Sequence, residues 1–405
     1  MKLESTKAIS TNLNILTSIV IFGFFAALLK AYITGVYYPQ EIWPYNNFLF
    51  QPGDFMRDFL LPYLASRELN PYGSGEAYFP FAFIITFFYT LVEYKYAQFL
   101  YIISACIIIL YFNYRFILKN QFSSERFNSF LALSLFSYPI LFCIDRGNLE
   151  VFILLFAVLF YINFNKRNFN RASFLLTLAV LIKPYMALFY FMFLFKREYF
   201  HFLKAIILFF IMFFIFISFF KGSIVDNLLM LETHMSKAIY FEKITLYTWY
   251  SSSFSEIVKL FVNLTEICTS FCYGILENEF FALLSKFINA SLILFSLFMC
   301  FTRKYSEPIL ILILTILVIS ATPVAYDYKL IMLYLPIYAF LNETNEIDLH
   351  NSKIPFILIG TILIPKAYYF LDGHLATSIS TFINPLLLLI LLFYSLIMTG
   401  KKNNF

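Results

Sequence analysis

The sequence predicts an all-α, polytopic membrane protein, and three observations carry that prediction. Hydrophobic residues make up 61% of the chain and charged residues 13%, a balance that water-soluble domains do not maintain. Apolar runs recur from end to end, and basic residues gather in the short gaps between them. No Gly/Ser-rich linker, low-complexity tail or internal repeat interrupts the pattern, so residues 1–405 read as a single integral membrane domain.

The elements follow in order. Lys2 and Lys7 precede an apolar run from Leu13 to Thr34, too long for a signal-peptide core and without a small-x-small cleavage site, so an uncleaved signal anchor is expected. A span needs about 20 apolar residues, and runs of about 10–14 are better read as re-entrant. Residues 35–77 form the first outside loop, with a short amphipathic helix expected over 54–68. The run 78–92 is short and reads as re-entrant, because it must return the chain before the basic gap holding Arg115, Lys119 and Arg126. Further basic gaps hold Lys166, Arg167 and Arg171, then Lys196, Arg197 and Lys204, and all three gaps are expected in the cytoplasm. The run 172–195 lies between two of them and is broken by Lys183-Pro184, so it reads as a hairpin whose tip faces outward. Residues 221–279 form a second large outside loop. Beyond it the runs alternate, with Arg303 and Lys304 inside, 322–327 outside, 342–353 inside, Asp372 to His374 outside and Lys401-Lys402 inside. The expectation is roughly ten spans plus two re-entrant elements, with both termini cytoplasmic.

Several function classes drop out. The net charge of +5 is accounted for by basic cytoplasmic loops, and no basic, aromatic-interleaved patch argues for nucleic acid. GxxxxGK[ST], GxSxG and HExxH are absent from the sequence, which removes the commonest signals for ATP-driven transport and for hydrolysis. Cys106, Cys143 and Cys300 sit in apolar segments as small buried hydrophobes, and Cys268 and Cys272 lack zinc-ligand spacing. No metal and no cofactor are expected.

The chemistry concentrates in polar residues stranded among apolar runs, where an ionisable group is costly and normally pairs or lines an aqueous path. In the first loop, Asp54 and Asp58 are four apart and share a helical face if 54–68 is helical, while Asp54 following Pro52-Gly53 also fits an N-cap. A carboxylate there serves as general base for an attacking hydroxyl, with Asp58 or Arg57 orienting it. In CIDRGNLEV, Arg146, Asn148 and Glu150 sit with almost no loop to hold them; the alternatives are a turn with an Asp145–Arg146 or Arg146–Glu150 ion pair, or an anion site. Arg suits bidentate phosphate contacts, and Lys183 at the hairpin tip adds a second cation. Glu76 is a further first-loop acid, and Asn70-Pro71-Tyr72 ahead of Gly73 and Gly75 is a turn signature. His234 in LETHMSK and Tyr326-Asp327 in TPVAYDYKL complete the set, Asp327 being either a second carboxylate of the site or the ion-pair partner of Lys329.

In order, GDF…D, NPY with a downstream YFPF, DRGN, the K-P break and the late P-x-x-YDYKL resemble polytopic glycosyltransferases of the GT-C fold, most nearly glycosyltransferase family 87. The resemblance implies inverting transfer of a hexose such as mannose from a polyprenyl-phosphate donor to a lipid-linked or glycan acceptor at the extracytoplasmic face of the cell membrane. It implies Asp54 as the base, Asp58 and Arg57 in support, Arg146 and Lys183 on the donor phosphate, and Asn148, Glu150, His234, Tyr326 and Asp327 toward sugar or acceptor. The first loop lacks the paired D-x-D of some relatives, in keeping with no metal. The readings held beside it are a surface-polysaccharide polymerase or ligase, which carries its large outside loops late, and a flippase or transporter, which carries paired broken helices.

Overall fold

The computed structural model describes residues 2–37, 55–74, 78–119, 124–244, 251–257, 279–320, 326–342, 353–366 and 379–397. Within them the chain is helical and forms no strand. It opens with α1 (Lys2–Tyr37), then α2 (Arg57–Arg67), α3 (Pro80–Tyr89), α4 (Tyr94–Lys119), α5 (Ser124–Phe136) and α6 (Tyr138–Arg146). After these come α7 (Glu150–Asn165), α8 (Phe169–Val180), a 3₁₀ segment (Pro184–Tyr190), α9 (Phe191–Phe195), α10 (Tyr199–Ile217) and α11 (Ile224–Ile244). The C-terminal part holds α12 (Glu279–Thr302), α13 (Glu307–Ser320), a second 3₁₀ segment (Asp327–Leu333), α14 (Tyr334–Asn342), α15 (Lys353–Leu363) and α16 (Ile379–Ile397).

Three of these helices are long and apolar enough to cross a membrane, over Thr11–Ile33, Tyr94–Arg115 and Tyr199–Ile217. The other apolar helices run to 10–17 residues, so three of the expected crossings of roughly ten qualify by length. The run expected to be re-entrant is the ten-residue α3, which at 1.5 Å per residue reaches about half the depth of a hydrocarbon core. The first-loop helix begins later than expected: its N-cap is Met56, in the left-handed region at φ 56, with no side-chain capping bond. Asp54 and Glu76 lie outside the described residues, as do Cys268 and Cys272.

The chain divides into two compact units. The first comprises Met1–Gln51, Leu110–Phe142 and Glu242–Phe405. At its centre stands α13, buried at every residue from Pro308 to Ser320, as befits a helix apolar all round. It packs against α14, α16 and the second 3₁₀ segment. Two glycines let α1 and α15 close on each other: a Cβ on Gly23 would lie 2.3 Å from Ile364 Cγ2, and one on Gly360 3.4 Å from Ile19, the close approach that small residues permit between membrane helices. Buried phenols are tied off, Tyr334 donating to the Leu133 carbonyl at 2.8 Å and Tyr338 to Asn113 Oδ1 at 3.0 Å.

The second unit comprises Pro52–Ile109 and Cys143–Phe241. Its spine is α7 against α8, with α10 packed on α8 and α3 on both α2 and α10. Tyr72, Phe83, Leu181, Phe213, Ile217 and Phe220 form one aromatic-rich core. The predicted Asn-Pro-Tyr turn docks there. Its Tyr72 ring meets Phe83 and Phe220 edge-on, and Leu69 accepts the Lys221 N–H at 2.8 Å. His234 Nε2 lies 2.8 Å from the Tyr72 carbonyl, fastening α11 to the turn. Burial pushes the Tyr72 phenol above its ordinary pKa, because the charged form would lose its hydration.

Candidate active site

Local backbone chemistry builds the site in the second unit. Helix α6 ends at Arg146, Gly147 turns the chain at φ +67, and α7 starts at Glu150. Only glycine fits the turn: a Cβ would lie 2.6 Å from Phe59 Cβ on α2, and the left-handed conformation is costly for other residues. The Met56 N–H donates to the Asp145 carbonyl at 2.7 Å, clasping the start of α2 to the end of α6. That clasp brings Asp58 onto the DRGN turn.

Asp58 uses both oxygens there. Oδ1 accepts Arg146 Nη2 at 2.7 Å and Oδ2 accepts Asn148 Nδ2 at 2.9 Å. Among the described residues Arg146 pairs with Asp58 on α2, across the turn rather than within it. Asn148 is fully buried, and its carbonyl accepts the Tyr101 hydroxyl at 2.6 Å. Its Oδ1 accepts the Glu150 N–H at 3.2 Å, so one amide joins the first-loop acid to the start of α7.

Lys183 closes the cluster from the other side. Pro184 disfavours helical geometry in the residue before it, and Lys183 is extended at φ −143, ψ 124 where α8 gives way to the 3₁₀ segment. From there Lys183 Nζ donates to Glu150 Oε1 at 2.8 Å and to Asn148 Oδ1 at 3.2 Å. The Tyr185 hydroxyl shares Glu150 Oε1, and the Tyr78 ring faces the Lys183 ammonium at 5.5 Å.

Accessibility is graded across these groups. The Arg146, Asp58 and Lys183 side chains are 18%, 17% and 13% exposed, whereas Glu150 is at 0%. Glu150 Oε2 has no hydrogen-bond partner among the described residues. The rim therefore offers two cations held in place by carboxylates, over a buried acidic floor. Pairing with a carboxylate orients both cations at this rim.

Of the expected residues, Asp58, Arg146, Asn148, Glu150 and Lys183 come together. Arg57 is exposed on α2, and the contact of His234 is with the Tyr72 carbonyl. Tyr326 and Asp327 belong to the first unit, where Ser252 Oγ donates to Asp327 Oδ1 at 2.7 Å. Tyr78, Tyr101 and Tyr185 were not anticipated. For Tyr185 a signal existed, its place directly after Lys183-Pro184, whereas Tyr78 and Tyr101 carry none that sets them apart.

Fold and site first define a class: an all-helical membrane protein with a polar centre of paired carboxylates and cations built among apolar helices. The family follows from comparison with known proteins. The family model of glycosyltransferase family 87 matches residues 77–325, more than half of the chain, and the chain belongs to that family. It is a membrane glycosyltransferase. Arg146, Asn148, Glu150 and Lys183 lie within the matched range, and Asp54 and Asp58 precede it. No curated protein and no solved structure matches the chain.

Proposed function

We propose that the protein transfers a hexose such as mannose, with inversion, from a polyprenyl-phosphate donor to a lipid-linked or glycan acceptor at the extracytoplasmic face of the membrane. The acceptor hydroxyl attacks the anomeric carbon while the bond from that carbon to the phosphate oxygen breaks. The electron pair leaves with the phosphate, and the hydroxyl proton passes to the Asp54 carboxylate. The leaving phosphate is already charged, so it needs cations more than a proton donor. Arg146 and Lys183 supply them. Asn148, Glu150 and His234 contact sugar or acceptor in this reading, and no metal or cofactor takes part.

The observation that carries this reading is the joint anchoring of both cations through one buried amide. Asn148 bonds Asp58, the partner of Arg146, and it also accepts from Lys183. Two cations held at one rim by a shared scaffold are preorganised for a single anion. Preorganised charge is worth more in catalysis than mobile charge, because it needs no rearrangement as the leaving group develops. The sidedness assigned here places both termini in the cytoplasm and rests on the Lys and Arg of the short loops.

The test is transfer of radiolabelled sugar from polyprenyl-phosphate donors by the purified protein in lipid. Asp54→Asn and Asp54→Ala are expected to lower kcat at least a hundredfold with donor KM little changed, as loss of a general base does. Arg146→Ala is expected to raise donor KM and lower kcat together. Wild-type rates in both Asp54 variants would remove it as the base.

A further inference from the structure

Two tyrosines converge on Lys183 by separate routes. The first arrives through the start of α3, whose N-cap is Phe79 in extended geometry at φ −75, ψ 158, with Pro80 in the first position, where a missing N–H costs nothing. The Phe81 N–H donates to the Leu181 carbonyl at 3.0 Å, tying the start of α3 to the chain two residues before Lys183. Tyr78, directly ahead of the cap, is thereby set against Lys183, its ring centre 5.5 Å from Nζ. Phe83 meets the same ring edge-on at 6.3 Å, a geometry that holds its plane.

The second tyrosine arrives through the 3₁₀ segment. The Met186 N–H donates to the Lys183 carbonyl at 3.3 Å, and the tight turn so made places the Tyr185 hydroxyl on Glu150 Oε1, the oxygen that also accepts Lys183 Nζ at 2.8 Å. Glu150 is fully buried, and its Oε2 has no hydrogen-bond partner among the described residues. The side-chain bonds that restrain this carboxylate within the described residues therefore act through Oε1. With the phenol removed, the ammonium would be tied to a carboxylate that nothing else braces.

We propose that Tyr78 and Tyr185 are positioning residues for Lys183, the ring face of one and the hydroxyl of the other fixing the ammonium at the rim where it meets the donor phosphate. The proposal rests on the reading of Lys183 as a phosphate ligand given above. A lysine ammonium is a point charge on a flexible four-carbon stem, so a single carboxylate does not fix it. The aromatic face bounds it on one side, and Glu150, braced by the phenol, bounds it on another. A charge fixed before the leaving group develops spares the reaction a rearrangement.

Binding of polyprenyl phosphate to the purified full-length protein in detergent, read by calorimetry, tests the proposal without requiring turnover. Phe keeps the ring of Tyr78 and Leu discards it, so Kd is expected to be about fivefold higher in Tyr78→Leu than in Tyr78→Phe. Tyr185→Phe removes only a hydroxyl and is expected to raise Kd about fivefold over wild type. Lys183→Met is combined with Glu150→Gln, so that no buried charge is left unpaired. This double variant is expected to bind more weakly than either tyrosine variant, and in its background both tyrosine effects are expected to vanish, as coupled residues require. A tyrosine that merely supports the fold would weaken binding whether or not Lys183 is present.

Equal Kd in the two Tyr78 variants, a wild-type Kd in Tyr185→Phe, or tyrosine effects that persist without Lys183 overturn the inference. If the Lys183→Met, Glu150→Gln variant binds polyprenyl phosphate as tightly as wild type while the wild-type protein transfers sugar, the inference falls and the transferase reading stands. If the wild-type protein transfers sugar from no polyprenyl-phosphate donor, that reading falls and the inference with it.

Discussion

At the residue scale, the site hangs on Gly147. Its φ is +67, and a Cβ on its backbone would lie 2.6 Å from Phe59 Cβ, so any side chain there meets two penalties at once. The left-handed backbone costs about 1–2 kcal/mol and the clash with α2 adds a similar amount. Gly147→Ala is therefore expected to destabilise the protein by about 3 kcal/mol, measured as a fall in thermal unfolding temperature in detergent. Because Arg146 and Asn148 flank the turn and both hold Asp58, transfer activity should fall with it, even at temperatures where the protein stays folded. Asp58, Arg146, Asn148, Glu150 and Lys183 were legible in the sequence, since polar groups stranded among apolar runs stand out against their background. The tyrosines that complete the cluster were not. Among 30 tyrosines, Tyr78 and Tyr101 have no contrast, and only folding shows which hydroxyl or ring faces the centre. The partner of Arg146 was equally hidden, because Asp145 is adjacent in sequence while Asp58 arrives through the α2 clasp.

At the element scale, the informative feature is the break between α8 and the 3₁₀ segment. Lys183-Pro184 was readable as an interruption because proline constrains both itself and the residue before it. What the break accomplishes was not readable: extended geometry at Lys183 sends its ammonium and the Tyr185 hydroxyl to the same Glu150 oxygen. Pro184→Ala lifts the constraint and allows α8 to run on through Lys183, carrying both groups away from Glu150. The expected outcome is a loss of about tenfold in kcat/KM for the donor, the size of one charge-assisted hydrogen bond, with stability lowered by about 3 kcal/mol because the buried Glu150 carboxylate loses its cation. A steady-state comparison of donor KM alongside a thermal melt checks it, and a stable variant with wild-type donor kinetics would show that the proline is not what places Lys183. Helix starts were less legible than breaks. Pro52-Gly53-Asp54 looked like a cap, yet α2 starts at Arg57 behind a left-handed Met56, a conformation no propensity scale assigns to methionine.

At the scale of the whole molecule, composition alone fixed the class, and the surface shows why. Helix α10 runs from Tyr199 to Ile217, and only 17% of its apolar window is buried inside the protein. Phe210 and Ile211 are 53% and 51% exposed, and Tyr199 at the helix start is 63% exposed. In water such a stripe would be an aggregation site, whereas in lipid it is the favourable surface. The number of crossings was less legible, because short helices, broken helices and spans share one hydropathy signal and are separated only by length. The lipid-facing assignment of α10 makes a depth-dependent prediction. The helix is about 28 Å long at 1.5 Å per residue, close to the thickness of a hydrocarbon core, so Phe210 sits near mid-depth and Tyr199 near an interface. Phe210→Lys is expected to oppose insertion by about 3 kcal/mol, the cost of a lysine at the centre of a spanning helix. Tyr199→Lys is expected to cost little, since a lysine near the interface extends its ammonium to the headgroups. Membrane insertion of the two variants, followed by alkaline extraction of membranes from expressing cells, separates them. If α10 instead lay in water, both substitutions would leave partitioning unchanged; if it lay flat at the interface, the two would have equal effects. Only a helix that crosses the bilayer makes the same substitution harmful at Phe210 and mild at Tyr199.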